Sequence, residues 1–405
     1  MALVIVGAGE AGMSAAAALR AAGQDEIIVL GEEAFPPYER PPLSKATLAG
    51  ATLAGATPAS QDAPALPCDP ALDLRLSTRV TGIHRAARVV ICADGRRIAY
   101  RRLLLAIGAR ARRLAVPGAE HALYLRNLAD ALALRAALRP GMRLVVVGGG
   151  FIGLEVAAAA SQRGCRVTLL EAGPRLLARG VPAEIAAAVE RLHRDRGVQI
   201  RLGTGLAALA PDSVTLADGG VLGCDAVVAG IGALPDTALA EAAGLAVENG
   251  IAVDARLATT DDRIFAAGDC CSFPLPLYGG RRVRLESWRN AQQQGQAAAR
   301  AMLGEAVAYD AVPWFWSDQY EATLQVAGLP EAGVRLVRRA AEGYAMWLHL
   351  AADGRLVAAS AFGGPALGRD MKLAERLIAQ RAYPPAERLA ELSLKSLLAP
   401  AAASR

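Results

Sequence analysis

The sequence predicts an α/β protein with two successive units built on parallel sheets, followed by a smaller α+β domain. Three observations predict this fold class. A glycine motif that follows an apolar run occurs twice, at residues 7–12 and 148–153. A strand–turn–strand segment also occurs twice, at 90–109 and 214–233. From about Trp314 onward, short apolar segments alternate in the way that is typical of an antiparallel sheet.

The two glycine motifs lie in the same local setting. GAGEAG at 7–12 directly follows the apolar run LVIV, and GGGFIG at 148–153 follows LVVV. Each pattern predicts a strand, a tight turn and the start of a helix whose N-terminus binds a pyrophosphate. The chain is therefore expected to contain two Rossmann-type dinucleotide-binding domains, and electrons can pass between two dinucleotides held in one protein.

An acidic residue follows each motif at the end of a second predicted strand, at 27–30 and 166–170. Glu32 lies 20 residues after Gly12, and Glu171 lies 18 residues after Gly153. An acid at this distance accepts hydrogen bonds from ribose hydroxyls, although each carboxylate would also suit a solvated strand end. Glu171 would repel a 2′-phosphate and so favours NADH over NADPH, whereas the nearby Arg175 would attract one.

The second repeat predicts a β-meander inserted in each unit. Residues 90–109 and 214–233 align without a gap as strand, Asp-Gly turn, strand, and an apolar strand that ends in Ile-Gly-Ala. An Asp-Gly pair between apolar runs is typical of a hairpin. The last strand of each repeat is expected to return to the parallel sheet.

Three further segments carry expectations. Residues 264–269 predict a buried strand that ends in Asp269, where a ligand would supply the partner that a buried aspartate needs; the alternative is a helix N-cap, with a helix after Cys270. Side chains alternate along a strand, so at most one of Phe315 and Trp316 is expected to face any given cleft. The low-complexity stretch 46–61 is expected to be a surface loop or a short helix.

Composition limits the function classes. At 405 residues and 53% hydrophobic, the chain can form two or three domains with a sizeable core. No run of about 18 apolar residues occurs, and the first strand begins at Leu3, so neither a membrane span nor a signal peptide is expected. The net charge of +5 is a mild basic excess, which is compatible with an acidic partner but is more often only surface composition, and we expect no nucleic-acid partner. Six cysteines and four histidines lack metal-site spacing, so we expect a cytoplasmic protein with free thiols and no metal.

Six segments, taken in order, resemble the FAD-dependent ferredoxin reductases of bacterial oxygenase systems, the family of putidaredoxin reductase and the biphenyl-dioxygenase ferredoxin reductase. They are RPPLSK at 40–45, LYLRNLADA at 123–131, GGGFIGLEVAA at 148–158, AAGDC at 266–270, LESWRNA at 285–291 and PWFWSDQY at 313–320. The resemblance covers essentially the whole chain. It implies a glutathione-reductase-like fold with an FAD-binding domain at 1–112 and 238–312, an NAD-binding domain at 113–237 and a C-terminal domain at 313–405.

The same resemblance implies roles for individual residues. FAD would be held by Gly7, Gly9, Ala11, Gly12, Glu32, Arg40, Lys45, Val80, Arg126, Asp269, Glu286 and Trp288. NADH would be held by Gly148, Gly150, Gly153, Glu171, Ile231 and Gly232. Lys45, Glu155 and Trp316 would act in catalysis, with Glu155 paired to Lys45 across the domain boundary and Trp316 beside the flavin–nicotinamide site. One departure is Ile107, which stands where the family usually has threonine.

The cysteines bear on the electron acceptor. Thiol-reducing members of the wider superfamily need a redox cysteine beside the flavin, but the next cysteine after Arg40 is Cys68, and Ser44 stands near the position of the single-cysteine enzymes. We therefore expect hydride transfer from NADH to FAD and then release of single electrons to an external [2Fe–2S] ferredoxin, which feeds a P450 or a ring-hydroxylating oxygenase.

The ferredoxin is expected to dock near Trp316 and the cations Arg289, Lys372 and Arg376. Two alternatives stay open: a rubredoxin reductase or NADH oxidase, and a redox-sensing NADH-binding protein similar to apoptosis-inducing factor. The expected assembly is a monomer or a weak dimer.

Overall fold

The first unit is built on the predicted parallel sheet. In the computed structural model, which describes residues 1–50, 63–306, 308–391 and 393–398, its elements follow the predicted order. They are β1 (Ala2–Val6), α1 (Glu10–Ala21), β2 (Ile27–Leu30), α2 (Ala46–Ala49), β3 (Asp73–Arg75), β4 (Val80–His84), β5 (Val89–Cys92), β6 (Arg97–Leu105) and β7 (Ala109–Ala111). The low-complexity stretch thus begins as helix α2, and residues 51–62 lie outside the described residues.

The second unit repeats this plan. Its elements are β8 (Ala122–Leu123), α3 (Leu128–Ala137), β9 (Arg143–Val147), α4 (Phe151–Gln162), β10 (Arg166–Leu170), α5 (Ala183–Asp195), β11 (Gln199–Arg201), β12 (Leu206–Ala210), β13 (Ser213–Leu216), β14 (Val221–Gly223), β15 (Ala226–Ala229) and β16 (Ala233–Pro235). Strands β11-β10-β9-β15-β8 form a parallel sheet, and β12-β13-β14 form the meander.

The chain then returns to the first unit. The elements are α6 (Ala238–Ala242), β17 (Val247–Glu248), β18 (Gly250–Ala252), β19 (Ile264–Ala266), β20 (Cys271–Leu275), β21 (Arg281–Val283) and α7 (Trp288–Met302). The first sheet has the order β3-β2-β1-β6-β5-β4, and β19 pairs in parallel with β6. Helix α7 packs closely on α1. The approach requires glycine at position 295, since an added Cβ would lie only 2.2 Å from the carbonyl oxygen of Ala11.

Both predicted meanders are confirmed, with one difference in their last strands. In the first unit, β6 is continuous: its first part pairs antiparallel with β5 and its last part pairs in parallel with β1. In the second unit, the corresponding strand is split into β14 and β15. At the split, Asp225 accepts hydrogen bonds from the backbone N–H and the guanidinium of Arg143, which divert the chain between the two sheets.

The C-terminal part is an antiparallel sheet with a helix packed on it. Its elements are β22 (Trp314–Gln319), β23 (Ala322–Gly328), β24 (Arg335–Ala341), β25 (Tyr344–Leu350), β26 (Leu356–Gly363), α8 (Leu367–Ala379) and α9 (Ala386–Glu391). The strand order is β22-β23-β26-β25-β24. The sheet contributes buried side chains to the hydrophobic cores of both α/β units, among them Met346 in the first and Val326 in the second. Among the described residues, no helix has the length and apolarity to cross a membrane.

Candidate active site

One cleft joins the three parts of the chain. It has a volume of about 680 Å³ and lies over the carboxyl ends of β1 and β6 in the first unit. The second unit lines it with the start of α4 and with Gly230 and Gly232, and strand β22 lines it with Phe315 and Trp316. A position at the carboxyl ends of parallel strands is the usual ligand site of an open α/β sheet.

The glycine motifs leave open space at two helix starts. Gly9 and Gly150 are the N-caps of α1 and α4, and a Cβ added to either would meet no atom within 4 Å. In contrast, a Cβ at Gly12 or Gly153 would lie 1.9 or 2.0 Å from a carbonyl oxygen of its own turn. Each motif therefore combines a glycine required by packing with one that leaves room for a pyrophosphate on free backbone N–H groups, which fits FAD and a nicotinamide dinucleotide.

The predicted FAD residues lie around the cleft with one exception. Those that line it are Gly7, Gly9, Ala11, Glu32, Arg40, Lys45, Val80, Arg126, Asp269, Glu286 and Trp288. Gly12 does not line it, because its Cα packs under the carbonyl of Gly7. Its place in the motif is explained by this close approach between turn and helix.

The predicted NADH residues divide into two groups. Gly232 lines the cleft, together with Glu155 and Trp316. The others, Gly148, Gly150, Gly153, Glu171 and Ile231, lie outside the cleft, in the turn and at the strand ends of the second sheet.

Glu171 and Arg175 are both held by backbone groups. The two carboxylate oxygens of Glu171 accept hydrogen bonds from the N–H groups of Gly149 and Gly173, each at 2.7 Å. The guanidinium of Arg175 donates to backbone carbonyls, including that of Ala178 at 3.0 Å. A carboxylate thus stands beside the glycine turn, whereas the nearby cation is tied into its own loop.

Asp269 is held by an ion pair with Arg126. Its Oδ2 accepts a hydrogen bond from Nη2 of Arg126 at 2.8 Å, and Nε of Arg126 donates to the carbonyl of Ala109 at 2.6 Å. Strand β20 begins at Cys271, so the helix that the N-cap alternative required does not form. Arg40 is fixed in a similar way, because it donates to Glu33 at 2.7 Å and to the carbonyl of Arg126 at 3.0 Å.

Lys45 and Glu155 form an ion pair between the two α/β units. Nζ of Lys45 lies 3.0 Å from Oε2 of Glu155, whose side chain is only 3% exposed. The same carboxylate accepts hydrogen bonds from the hydroxyls of Ser44 and Ser317, the latter at 2.6 Å. The ammonium also lies 5.9 Å from the ring centroid of Trp316. The three residues predicted to act in catalysis are therefore brought together at the cleft.

The alternation rule for Phe315 and Trp316 gave a wrong expectation, because both side chains line the same cleft. Phe315 meets Phe151 edge-on at 5.0 Å, whereas Trp316 lies in an aromatic cluster with Trp288 and Trp314 at 6.3 and 5.5 Å. The rule describes the direction of neighbouring side chains along a strand, and it does not by itself limit which residues line one cleft.

Several residues at the cleft were missed by the sequence reasoning. Glu10 lines it from the first turn of α1; burial raises the pKa of its carboxyl, which accepts a hydrogen bond from Ser14 at 3.0 Å. Phe151 and Ile152 line it from the first turn of α4. All three lie between the glycines of the two motifs. Their place within a motif was the one feature of the sequence that could have indicated a position at the cleft.

The cysteines are all free thiols, as expected. Cys270 and Cys271 are fully buried beneath the cleft, and burial raises the pKa of Cys270 to about 12 and that of Cys271 well above its ordinary value. Both side chains are therefore neutral thiols at physiological pH, the unreactive form. Among the described residues, no group of three histidine, cysteine or acidic side chains is placed to hold a metal ion.

Comparison with known proteins agrees with this geometry. The family model of pyridine nucleotide-disulphide oxidoreductases matches residues 1–295, and the model of the reductase C-terminal domain matches residues 314–398. A ferredoxin–NAD(+) reductase component of the anthranilate 1,2-dioxygenase system of Burkholderia cepacia is 45% identical, over 98% of both chains. The chain belongs to the ferredoxin–NAD(+) reductase components of oxygenase systems, within the pyridine nucleotide-disulphide oxidoreductase family.

Solved structures of this family superimpose on nearly the whole chain. Putidaredoxin reductase, crystallised in a covalent complex with putidaredoxin, matches with a TM-score of 0.89 and 38% identity, over 98% of this chain and 97% of that one. The ferredoxin reductase of the CYP199A2 system from Rhodopseudomonas palustris matches with a TM-score of 0.90 and 35% identity, over 98% and 99%. The glutathione-reductase-like fold that the sequence predicts is thereby confirmed. The residue boundaries of the three domains, with breaks after 112, 237 and 312, stay a prediction.

Proposed function

We propose that this protein is an NADH-dependent flavoprotein that passes electrons from NADH through FAD to a [2Fe–2S] ferredoxin serving an oxygenase. The observation that carries the proposal is the single cleft at which the two glycine motifs and the C-terminal sheet meet. Lys45 comes from the first unit, Glu155 from the second and Trp316 from β22, and all three line this cleft. The names of the relatives, which are reductases that act on a ferredoxin, support the choice of acceptor.

The first unit would hold FAD. Gly9 leaves space for the pyrophosphate at the start of α1, and Glu32 is exposed at the strand end where a ribose would lie. The ion pair of Arg126 and Asp269 lines the same cleft. When bound, FAD supplies the chemistry, because it accepts two electrons together from NADH and releases them singly. The chain contributes binding, orientation and charge.

The ion pair of Lys45 and Glu155 places one positive and one negative side chain where the first and second units meet. The carboxylate of Glu155 is buried, and Lys45, Ser44 and Ser317 each place a donor against it. Glu155 then compensates the ammonium of Lys45, which lies between it and Trp316. We expect Lys45 to place this partly compensated positive charge beside the flavin.

The second unit would hold NADH on the turn before α4. Gly150 leaves room for the pyrophosphate, and Glu171 lies against Gly149 of the same turn. A 2′-phosphate near Glu171 would meet a carboxylate that is fixed by two backbone N–H groups, without help from Arg175. This arrangement supports NADH over NADPH.

Helix α8 offers a surface for the ferredoxin. Arg369, Lys372 and Arg376 are exposed and share one helical face, and none of the three has an ion-pair partner among the described residues. Arg289 differs from the expectation, because its guanidinium is already bound by both carboxylate oxygens of Glu375 and stacks on Trp314. We therefore propose that the cations of α8, rather than Arg289, attract an acidic ferredoxin.

The test starts with the purified protein. We expect a yellow protein that retains FAD, loses its flavin absorbance on anaerobic addition of NADH and loses it much more slowly with NADPH. Protein that binds no flavin, or flavin that NADH does not bleach, would overturn the proposal.

The acceptor is tested in a second experiment. Turnover with a [2Fe–2S] ferredoxin is compared with turnover with rubredoxin and with oxygen, at equal acceptor concentration. Preference for the ferredoxin supports the proposal, whereas preference for rubredoxin or oxygen favours the alternative reductase or oxidase. Slow flavin reduction with a long-lived charge-transfer complex would favour a redox-sensing NADH-binding protein.

Assembly and location belong to the same proposal. We propose a cytoplasmic monomer or weak dimer that uses neither nucleic acid nor a membrane as a partner. Light scattering across a tenfold dilution series tests the assembly, and a stable dimer at all concentrations would contradict it.

A further inference from the structure

A chain of buried hydrogen bonds leads away from Glu155 into the protein. The hydroxyl of Ser317 donates to Oε1 of Glu155 at 2.6 Å, and the side-chain amide of Gln319 donates to Ser317 Oγ at 2.8 Å. Oε1 of Gln319 lies 2.9 Å from Nε2 of His193. Ser317, Gln319 and His193 are each at most 1% exposed, so water does not compete for these bonds.

All the donors in this chain point toward the carboxylate. A carbonyl oxygen only accepts hydrogen bonds, so Nε2 of His193 must carry the proton that it donates to Gln319. The amide nitrogen of Gln319 and the hydroxyl of Ser317 then continue in the same direction. Nδ1 of His193 is left as a buried acceptor without a partner in the described structure, and burial lowers the pKa of this imidazole, which favours its neutral form.

The chain of bonds joins elements that are distant in sequence. His193 lies on α5 of the second unit, whereas Ser317 and Gln319 lie two residues apart on β22 and therefore on one face of the strand. The far end is closed by Tyr320, whose ring meets His193 edge-on at 5.1 Å. Tyr320 has a φ of 58°, a left-handed conformation that is unusual for a bulky residue.

We propose that Ser317, Gln319 and His193 are positioning residues that hold the Glu155 carboxylate against Lys45 and thereby tune the redox potential of the flavin. This inference rests on the proposed function. Ser44 and Lys45 from the first unit restrain Glu155 on one side. The hydrogen-bonded chain of Ser317, Gln319 and His193, here called the relay, restrains it on the other. Without these hydrogen bonds, the carboxylate is free to move away from Lys45.

A carboxylate that moves away leaves the ammonium of Lys45 less compensated. A less compensated positive charge beside the flavin favours the reduced flavin, which is the more negative form. We therefore expect Ser317→Ala to raise the midpoint potential of the bound FAD above that of the unmodified protein. Glu155→Gln, which removes the charge altogether, sets the upper limit of the effect.

The experiment measures the midpoint potential of the holoprotein by anaerobic dye equilibration. For Ser317→Ala and Gln319→Met we expect a roughly three- to tenfold shift of the redox equilibrium, which is about 15–30 mV for a two-electron couple. Ser360→Ala is the matched control, because Ser360 is a fully buried serine of the same sheet whose hydroxyl bonds to His349 at 3.0 Å, away from the relay. We expect Ser360→Ala to leave the potential unchanged.

Rescue separates positioning from a merely structural role. His193→Gln keeps an N–H donor and is expected to keep the original potential, whereas His193→Leu is expected to shift it as Gln319→Met does. Ser317→Ala and Gln319→Met variants that retain FAD at the unmodified potential would overturn the inference, and so would an equal shift in Ser360→Ala. If Ser317→Ala does not fold, Gln319→Met decides alone. Failure of the proposed function is distinct, because the unmodified protein would then not be reduced by NADH.

Discussion

Replacing Gly150 by alanine is predicted to weaken NADH binding while leaving the fold intact. Gly150 has φ −85° and ψ −178°, an extended conformation that alanine adopts without strain. A Cβ at this position meets no protein atom within 4 Å. The added methyl group therefore enters only the space in which we propose that the pyrophosphate of NADH lies.

The magnitude follows from the bonds that the methyl group would disturb. A hydrogen bond from a backbone N–H to a charged group contributes about 1.5–3 kcal/mol. Lengthening one such bond beyond its useful range predicts a rise in the Kd for NADH of about ten- to 100-fold. The flavin content is expected to stay unchanged, because Gly150 lies outside the cleft of the first unit.

Two other glycines provide matched controls. Gly9→Ala has the same local geometry at the first motif, so it is expected to lower the FAD content instead. Gly153→Ala would place a Cβ 2.0 Å from the carbonyl oxygen of Gly148, so it is expected to lower the Tm and to disrupt the turn itself. The assays are calorimetric titration with NAD(+), the KM for NADH with ferricyanide as acceptor, the ratio of flavin to protein absorbance and the Tm.

The reasoning is refuted by either of two results for Gly150→Ala. An unchanged Kd and KM would show that the pyrophosphate does not approach this position. A large fall in Tm would show that the protein itself needs the space beside Gly150, although no protein atom lies within 4 Å of an added Cβ.

Three further predictions concern other parts of the molecule. Asp269→Asn weakens the ion pair with Arg126 at 2.8 Å, and several-fold less FAD should remain after gel filtration; full retention would contradict the proposed contact. Lys372→Glu combined with Arg376→Glu should raise the KM for an acidic ferredoxin about tenfold and weaken its salt dependence, with ferricyanide turnover unchanged. Burial lowers the pKa of His349 to about 4 from 6.5, so the native state resists protonation that the unfolded chain accepts. The free energy of unfolding should therefore fall by about 3 kcal/mol as the pH drops from about 6.5 to 4, and His349→Gln should lose this part of the pH dependence in denaturant titrations.

The elements of the fold could be predicted from short stretches of sequence. The second strands at 27–30 and 166–170 have the predicted bounds. Each is a short apolar run that follows a helix and ends at polar residues, a pattern that can be recognised from neighbouring residues alone. The Asp-Gly turns of both meanders also form where predicted, with Gly95 and Gly219 at positive φ. The continuity of β6 was not predicted, because the aligned repeats indicate two separate strands after each turn. The second unit has the two strands, and between them Asp225 contacts Arg143, 82 residues away.

The candidate site was predicted less completely. The resemblance supplied Lys45 and Glu155, and the structure brings them to 3.0 Å. It did not supply the relay through His193, because a buried histidine on an amphipathic helix gives the same pattern whether or not it has a polar partner. The N-cap alternative for Asp269 was open until the structure showed that strand β20 begins at Cys271, and the contact of Asp269 with a ligand stays a prediction. Its ion pair with Arg126, 143 residues earlier in the chain, was not predicted.

The sequence by itself determined that two dinucleotides would bind. The spacing of glycines within six residues sets the turn, the start of the helix and the free N–H groups at the helix N-terminus. All of these depend only on the backbone conformation of a few neighbouring residues. The resemblance supplied the pair of Lys45 and Glu155, and only the tertiary structure decided which other groups hold it. Ser317 meets Glu155 because three parts of the chain pack around one cleft, and such contacts depend on the relative placement of whole units rather than on local spacing.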